Sequence, residues 1–228
     1  MDLQAVVFDF DGLIVDTEWP IYTSAVAAFA ELGHELPLET WATIVGLAEG
    51  EGGWYDTLNE RLGVNLSRAD FDEAYRAQDR SDRDRLPLLP GVRDLLDALD
   101  AAGVPAGIAS SSEVTWLERH LGRLGLLDRF AVLAGVDRVN GVGKPAPDSY
   151  LLACRELGAL PGRSVALEDS AHGVAAAHAA GMAVVAVPSR ITRLTSLTDA
   201  DLVAGSLTEL TVAVLDSLVS PARRVPAD

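Results

Sequence analysis

The chain has 228 residues, 49% hydrophobic and 23% charged, with a formal net charge of −16. That size and apolar share can bury the core of one domain or of two small ones, whereas 18 basic against 34 acidic residues argues against nucleic-acid binding, which rests on cations neutralising phosphates. No apolar run reaches membrane-span length, no basic leader precedes the first apolar run, and Cys154, the single cysteine, forms no internal disulfide. The expectation is a cytoplasmic monomer with neither a membrane nor a nucleic-acid partner.

The first apolar run, residues 3–10 ("LQAVVFDF"), reads as a buried parallel strand because it is near-continuous rather than alternating. Four helical patterns follow without a strand between them: residues 21–33, 37–46, 52–63 and 67–80. The Arg- and Asp-rich "RSDRDRLPLLPG" then leads out of this block. From residue 91 helix and strand alternate. Helical patterns at 91–103, 112–125, 146–158 and 171–181 each close on a glycine, the favoured residue just past a helix end. Between them lie apolar strands at 104–110, 130–135, 164–169 and 183–188, with a weaker sixth near Leu202. Residues 220–228 ("SPARRVPAD") read as a frayed tail. Repeated strand and helix means a parallel sheet covered on both faces. The predicted fold is therefore α/β: a Rossmann-like, doubly wound core (1–16 plus 87–228) with an inserted all-helical domain (17–86), its two junctions able to act as hinges.

In such a sheet ligands bind at the carboxyl ends of the strands. The first strand delivers Asp9 and Asp11 there, the second "ASSS" (109–112), the third is followed by "GVGKPAPD" with Lys144, and the fourth ends in Glu168 and Asp169. Clustered carboxylates repel unless something positive sits among them. Hard oxygens suit Mg²⁺, which also takes substrate phosphate. Asp9 and Asp11 are two apart, so in an extended backbone both side chains face one substrate. One carboxylate can attack phosphorus while a second protonates the leaving oxygen and later deprotonates water. Lys144 is the one lysine among 18 basic residues. It reads either as a solvated loop residue or as a point charge placed on phosphate. Ser110, Ser111 and Ser112 read either as caps of the helix that follows or as an anion site at its start.

The segments "DFDGLIVDTE", "ASSS", "GKPAPD" and "EDSAHG", in that order on those strands, resemble the haloacid dehalogenase superfamily. The closer resemblance is to its phosphatase branch with a helical cap, the group that includes beta-phosphoglucomutase and sugar-phosphate phosphatases. The resemblance implies Asp9 as nucleophile and Asp11 as general acid/base. It implies Ser110, with Ser111, and Lys144 as phosphate-binding groups, and Asp9, Asp11 (through its carbonyl), Glu168 and Asp169 around Mg²⁺. It also implies a tight turn at Gly12. The acid at Asp11 argues against a dehalogenase.

The expected activity is Mg²⁺-dependent hydrolysis of a small phosphorylated metabolite, a sugar phosphate or similar phosphomonoester, through an aspartyl-phosphate. Gly46 matches the family's substrate loop. Val45, Glu49 and Ile21 stand where the mutases carry two basic residues and a histidine, so the alternative of a phosphohexomutase, like that of a catalytically silent relative, ranks below a hydrolase. Trp41, Trp54 and Tyr55 read as core or as a stacking platform. Arg61, Arg68, Arg76 and Arg80 read as mostly solvated, with Arg76 or Arg80 the candidate to reach substrate. His34 and His120 read as surface residues, and His172 as either an entrance residue or helix-end packing.

Overall fold

The computed structural model describes residues 1–47, 53–78 and 86–219. Glu49, Arg80, residues 79–85 of the exit segment and the tail at 220–228 lie outside the described residues. Six parallel strands form one sheet in the order β3-β2-β1-β4-β5-β6. They are β1 (Ala5–Phe8), β2 (Ala106–Ala109), β3 (Val132–Ala134), β4 (Ser164–Glu168), β5 (Ala183–Ala186) and β6 (Leu202–Val203). Nine α-helices are described: α1 (Glu18–Glu31), α2 (Leu38–Ala42), α3 (Trp54–Leu62), α4 (Arg68–Gln78), α5 (Val92–Ala101), α6 (Val114–Leu124), α7 (Asp148–Glu156), α8 (Ala171–Ala179) and α9 (Val212–Val219). None is long and apolar enough to cross a membrane.

Period-two alternation along β1 explains why both faces are covered. Val6 and Phe8 join the cluster formed with Leu96, Leu99, Leu117, Leu121 and Leu215 from α5, α6 and α9. Val7 turns to the opposite cluster, with Tyr150, Ala153, Ala176 and Ala177 from α7 and α8. Helix α9 is not among the expected helices. Leu215 and Val219 carry it onto the first cluster. Its Asp216 accepts the backbone N–H groups of Asp2 and Leu3 at 2.7 and 2.8 Å, which fastens the start of the chain.

The strands stop short of their predicted ends. After Phe8 the Asp9 N–H still reaches Leu167 O at 2.9 Å, but the Phe10 carbonyl then accepts the N–H groups of Leu13, Ile14 and Val15, folding the chain into a turn. Gly12 sits in this turn at φ +86°, and a Cβ there would overlap the Asp169 carboxylate. The strand order reverses between β1 and β4, so the residues after β1, β2 and β4 converge at the crevice this reversal opens.

Helices α1 to α4 form a third apolar cluster built on Phe29, Trp41, Leu58 and Phe71. The chain leaves for this block and returns from it side by side. Val15 bridges Leu88, and the Leu89 N–H donates to Ile14 O at 2.9 Å. The block rests on the strand ends. Ile191, from the loop after β5, enters its cluster, and the Arg190 guanidinium carbon lies 3.3 Å from the Trp19 ring centroid.

Leu58 is fully buried in that third cluster, so Leu58→Ala should cost about 2–5 kcal/mol. Hydrogen exchange should rise mainly in α1–α4 and little in β1 and β4. An equal rise throughout the sheet would mean that the helical block and the sheet open as one unit.

Candidate active site

The site is built around one buried ammonium. Lys144, in the loop after β3, places Nζ 2.5 Å from Asp9 Oδ1 and 2.5 Å from Glu168 Oε1. Glu168 is fully enclosed. Its Oε1 also accepts the Tyr150 hydroxyl at 2.6 Å, and its Oε2 accepts the N–H groups of Asp169 and Ser170 and the Ser170 hydroxyl. The absence of a side chain at Gly173, on the first turn of α8, makes room for this carboxylate, because a Cβ there would coincide with it. Both Glu168 oxygens are thus held by protein donors. By contrast Asp9 Oδ2 makes no hydrogen bond among the described residues, and Asp169 accepts from Thr192 at a long 3.4 Å.

Carboxylate oxygens of Asp9, Glu168 and Asp169 lie within 4.8 Å of one another. Burial pushes the Asp9 carboxyl up to about 8; the Lys144 ammonium opposes this, while Glu168 and Asp11 add to it. Asp169 is raised well above the carboxylate range, first by burial, then by Asp9 and Glu168. Burial alone would lower Lys144, but the two carboxylates it bridges outweigh this and hold it above the ordinary lysine value. One ammonium among three dry carboxylates leaves negative charge that either protons or another cation must balance. An all-oxygen set, with no Cys or His among the clustered ligands, fits a hard divalent cation.

Asp11 faces a different set of partners. It lies just past β1, where it bridges Val15. Its carboxylate accepts from Thr17 Oγ1 (2.8 Å), Ser112 Oγ (2.7 Å) and Trp116 Nε1 (3.2 Å). Both acids nevertheless line one cavity of about 360 Å³ between the strand ends and the helical block. Ser110, Ser111, Lys144 and Asp169 line it as well, while Glu168 lies behind Lys144.

The serines do not cap α6: its first N–H, that of Val114, donates to Asp137 Oδ1 at 3.0 Å. Ser110 Oγ accepts the Ser112 N–H at 2.9 Å, leaving its own proton to donate. Ser111 donates to Gly46 O at 3.2 Å, tying the second strand end to the helical block. His172 makes a second tie through Nε2, 3.1 Å from Thr43 O. Gly46 itself, at φ +88°, seats so closely on Ser170 that a Cβ would lie 2.5 Å from the hydroxyl.

Several sequence expectations change here. His120, expected at the surface, is fully buried, its ring centroid 4.1 Å from that of Trp116 and 6.0 Å from that of Phe10. Arg68 is exposed, as read, but it rather than Arg61 or Arg76 lines the cavity. Trp41 and Trp54 reach the cavity wall, but Tyr55 turns its hydroxyl to Leu66 O and Ser67 O. Sequence reasoning missed Thr17, Ser112, Trp116 and Tyr150 as partners of the acids, because nothing in local spacing marks a contact 101 residues away, such as that of Ser112 with Asp11. Glu18 lines the cavity and was visible in the acidic run after β1. Burial, with Asp11, Asp9 and Asp16 nearby, raises its carboxyl to about 8.

Comparison with known proteins agrees with this arrangement. Residues 3–181 match the model of the haloacid dehalogenase-like hydrolases. The Bacillus subtilis protein YhcW, which is named as a phosphatase, is 37% identical over 213 residues, 93% of this chain and 96% of its own. The phosphorylated carbohydrates phosphatase of Thermotoga maritima is 34% identical over 182 residues, 79% of this chain and 82% of its own. The crystal structure of a CbbY variant from Rhodobacter sphaeroides with xylulose-(1,5)bisphosphate superposes with a TM-score of 0.75 at 28% identity, covering 94% of this chain and 99% of that one. With its sheet order, its acidic strand ends and these relatives, the chain belongs to the haloacid dehalogenase-like hydrolases.

Proposed function

We propose that this hydrolase releases phosphate from a small phosphorylated metabolite by way of an aspartyl-phosphate at Asp9. The observation that carries the reading is Lys144, pinned between Asp9 and Glu168 at the base of a cavity that Asp11 also lines. Asp9 and Asp169, with the Asp11 carbonyl, would hold Mg²⁺, which when bound neutralises charge on the phosphoryl oxygens. Glu168, saturated by protein donors, holds Lys144 in place. Ser110 and Lys144 grip the transferring phosphoryl group, while Ser111 supports the loop.

In the first step an Asp9 oxygen forms a bond to phosphorus as the phosphorus–alkoxide bond breaks. Asp11 gives its proton to the departing oxygen. In the second step water bonds to phosphorus, Asp11 takes its proton, and the bond to Asp9 breaks, releasing phosphate. Helices α1–α4 (within residues 17–86) act as a cap that excludes bulk water. A mutase would need cations on the cap for a second phosphate; Ile21 and Val45 present apolar side chains to the cavity, and Arg68, the cap cation lining it among the described residues, is paired with Asp72. Buried, unpaired Cys154 suits a reducing, cytoplasmic setting.

Asp9→Asn should abolish phosphate release from p-nitrophenyl phosphate, since an amide is a poor nucleophile. More than about a tenth of the activity remaining, less than roughly 1.4 kcal/mol of barrier, would assign attack elsewhere. Asp11→Asn should slow an alkyl phosphate by roughly 10²–10⁴-fold, yet leave a burst of nitrophenol about equal to the enzyme present. Equal first-step losses for alkyl and aryl esters would remove the acid role from Asp11.

Metal binding should depend on pH with a definite sign. With Asp9 raised to about 8 from 3.8, the folded metal-free chain carries a proton that the unfolded chain has lost between those values. Stability therefore falls as pH rises through this window. Mg²⁺ must displace that proton, so it should raise Tm more near pH 8 than at about pH 5. An equal shift at both pH values would contradict Asp9 as a ligand.

Gly46→Ala, strained at φ +88°, should lower Tm and, by propping the cap off Ser170, lower kcat/KM by roughly 10–10²-fold. Unchanged kcat/KM would show that this seat is dispensable.

A further inference from the structure

The cap side of the cavity is chemically unlike its floor. Trp41, Trp54, Phe71 and Tyr75 contribute aromatic surface, and Ile21, Ile44 and Val45 add aliphatic surface. The cation on this side among the described residues is Arg68, and its charge is already committed. Its Nε lies 2.8 Å from Asp72 Oδ1, and its guanidinium carbon lies 5.1 Å from the ring centroids of both Trp54 and Tyr55. Beside Arg68, Asp72 and the Tyr75 hydroxyl, the polar groups on this side include the Glu18 carboxyl and the Trp41 indole N–H. The Trp41 N–H is buried and makes no hydrogen bond among the described residues, yet lies near enough to Glu18 to favour its charged form.

This wall selects against a bare polyol. A sugar hydroxyl pressed on the aromatic and aliphatic part of it gives up water without a replacement. A flat unsaturated ring loses far less. It gains favourable stacking or edge contacts with the aromatic side chains. Its polar edge can meet the donor at Trp41 and the acceptor at Glu18. A volume of about 360 Å³ falls within the usual range for small-molecule sites. Among the described residues the cations lining the cavity are Lys144, bridged to Asp9 and Glu168, and Arg68, paired with Asp72.

We propose that the preferred substrate is a monophosphate ester whose leaving group carries a flat heteroaromatic ring, and that Trp41 and Glu18 recognise the polar edge of that ring. The proposal rests on the phosphatase reading above and narrows its substrate class.

The test is kcat/KM for phosphate release by the full chain with Mg²⁺ from five probes. Uridine 5′-monophosphate and flavin mononucleotide carry flat rings, glucose 6-phosphate and sorbitol 6-phosphate do not, and acetyl phosphate has almost no leaving group to recognise. The better ring ester should exceed the better sugar ester by about tenfold or more, the scale on which a pocket discriminates by shape and polarity. A smaller ratio, with acetyl phosphate still hydrolysed, overturns the proposal and leaves the phosphatase reading intact. No release from acetyl phosphate overturns both. Trp41→Phe and Glu18→Gln should each lower the ratio of kcat/KM for the ring ester to that for acetyl phosphate by about tenfold. Ratios unchanged in both variants would remove the assigned roles of these residues.

Discussion

A single ammonium shared by two buried carboxylates governs the rest of this molecule. Lys144, Asp9 and Glu168 are each less than a tenth exposed. Charges so far from water are tolerated only when paired and hydrogen-bonded. Lys144 joins the loop after β3 to the ends of β1 and β4, and Glu168 is in turn clasped by Tyr150 of α7 and by the backbone that opens α8. Four separate segments are thereby held to one point. The same arrangement leaves one Asp9 oxygen without a donor among the described residues. The network that holds the site together also exposes the atom assigned to attack.

The division between sheet and cap follows from what each can offer. Strand ends supply fixed backbone and short polar side chains, suited to holding a phosphoryl group that is the same in every substrate. Helices α1–α4 are stabilised by their own aromatic cluster, and a few of those rings double as cavity wall. Several residues that stabilise this block therefore also shape the cavity.

The two parts meet through contacts of differing character. Gly46 on Ser170 is a close approach that needs the missing side chain. Ser111 to Gly46 and His172 to Thr43 are single hydrogen bonds to carbonyls, and Arg190 covers Trp19. The paired links at Ile14 and Leu89 keep the cap in register over the site.

Much of this was legible in the linear chain. Near-continuous apolar runs identified β1 to β5, and the lack of any such run between residues 17 and 86 marked out the helical block. Asp9, Asp11, Ser110, Lys144 and Asp169 were legible because strand ends in a parallel sheet all face one edge, so local order predicts their assembly. Tertiary structure alone decided the rest. That Glu168 is spent on Lys144 and Tyr150, that Trp116 and Ser112 hold Asp11, that His120 is buried, and that Arg68 rather than Arg76 reaches the cavity are matters of long-range packing. Helix α9 escaped notice for a related reason: its apolar face is short, and what holds it is the distant N-terminus at Asp216. Periodicity reports which face of an element is apolar. It carries no record of which residue, a hundred positions away, will be pressed against that face.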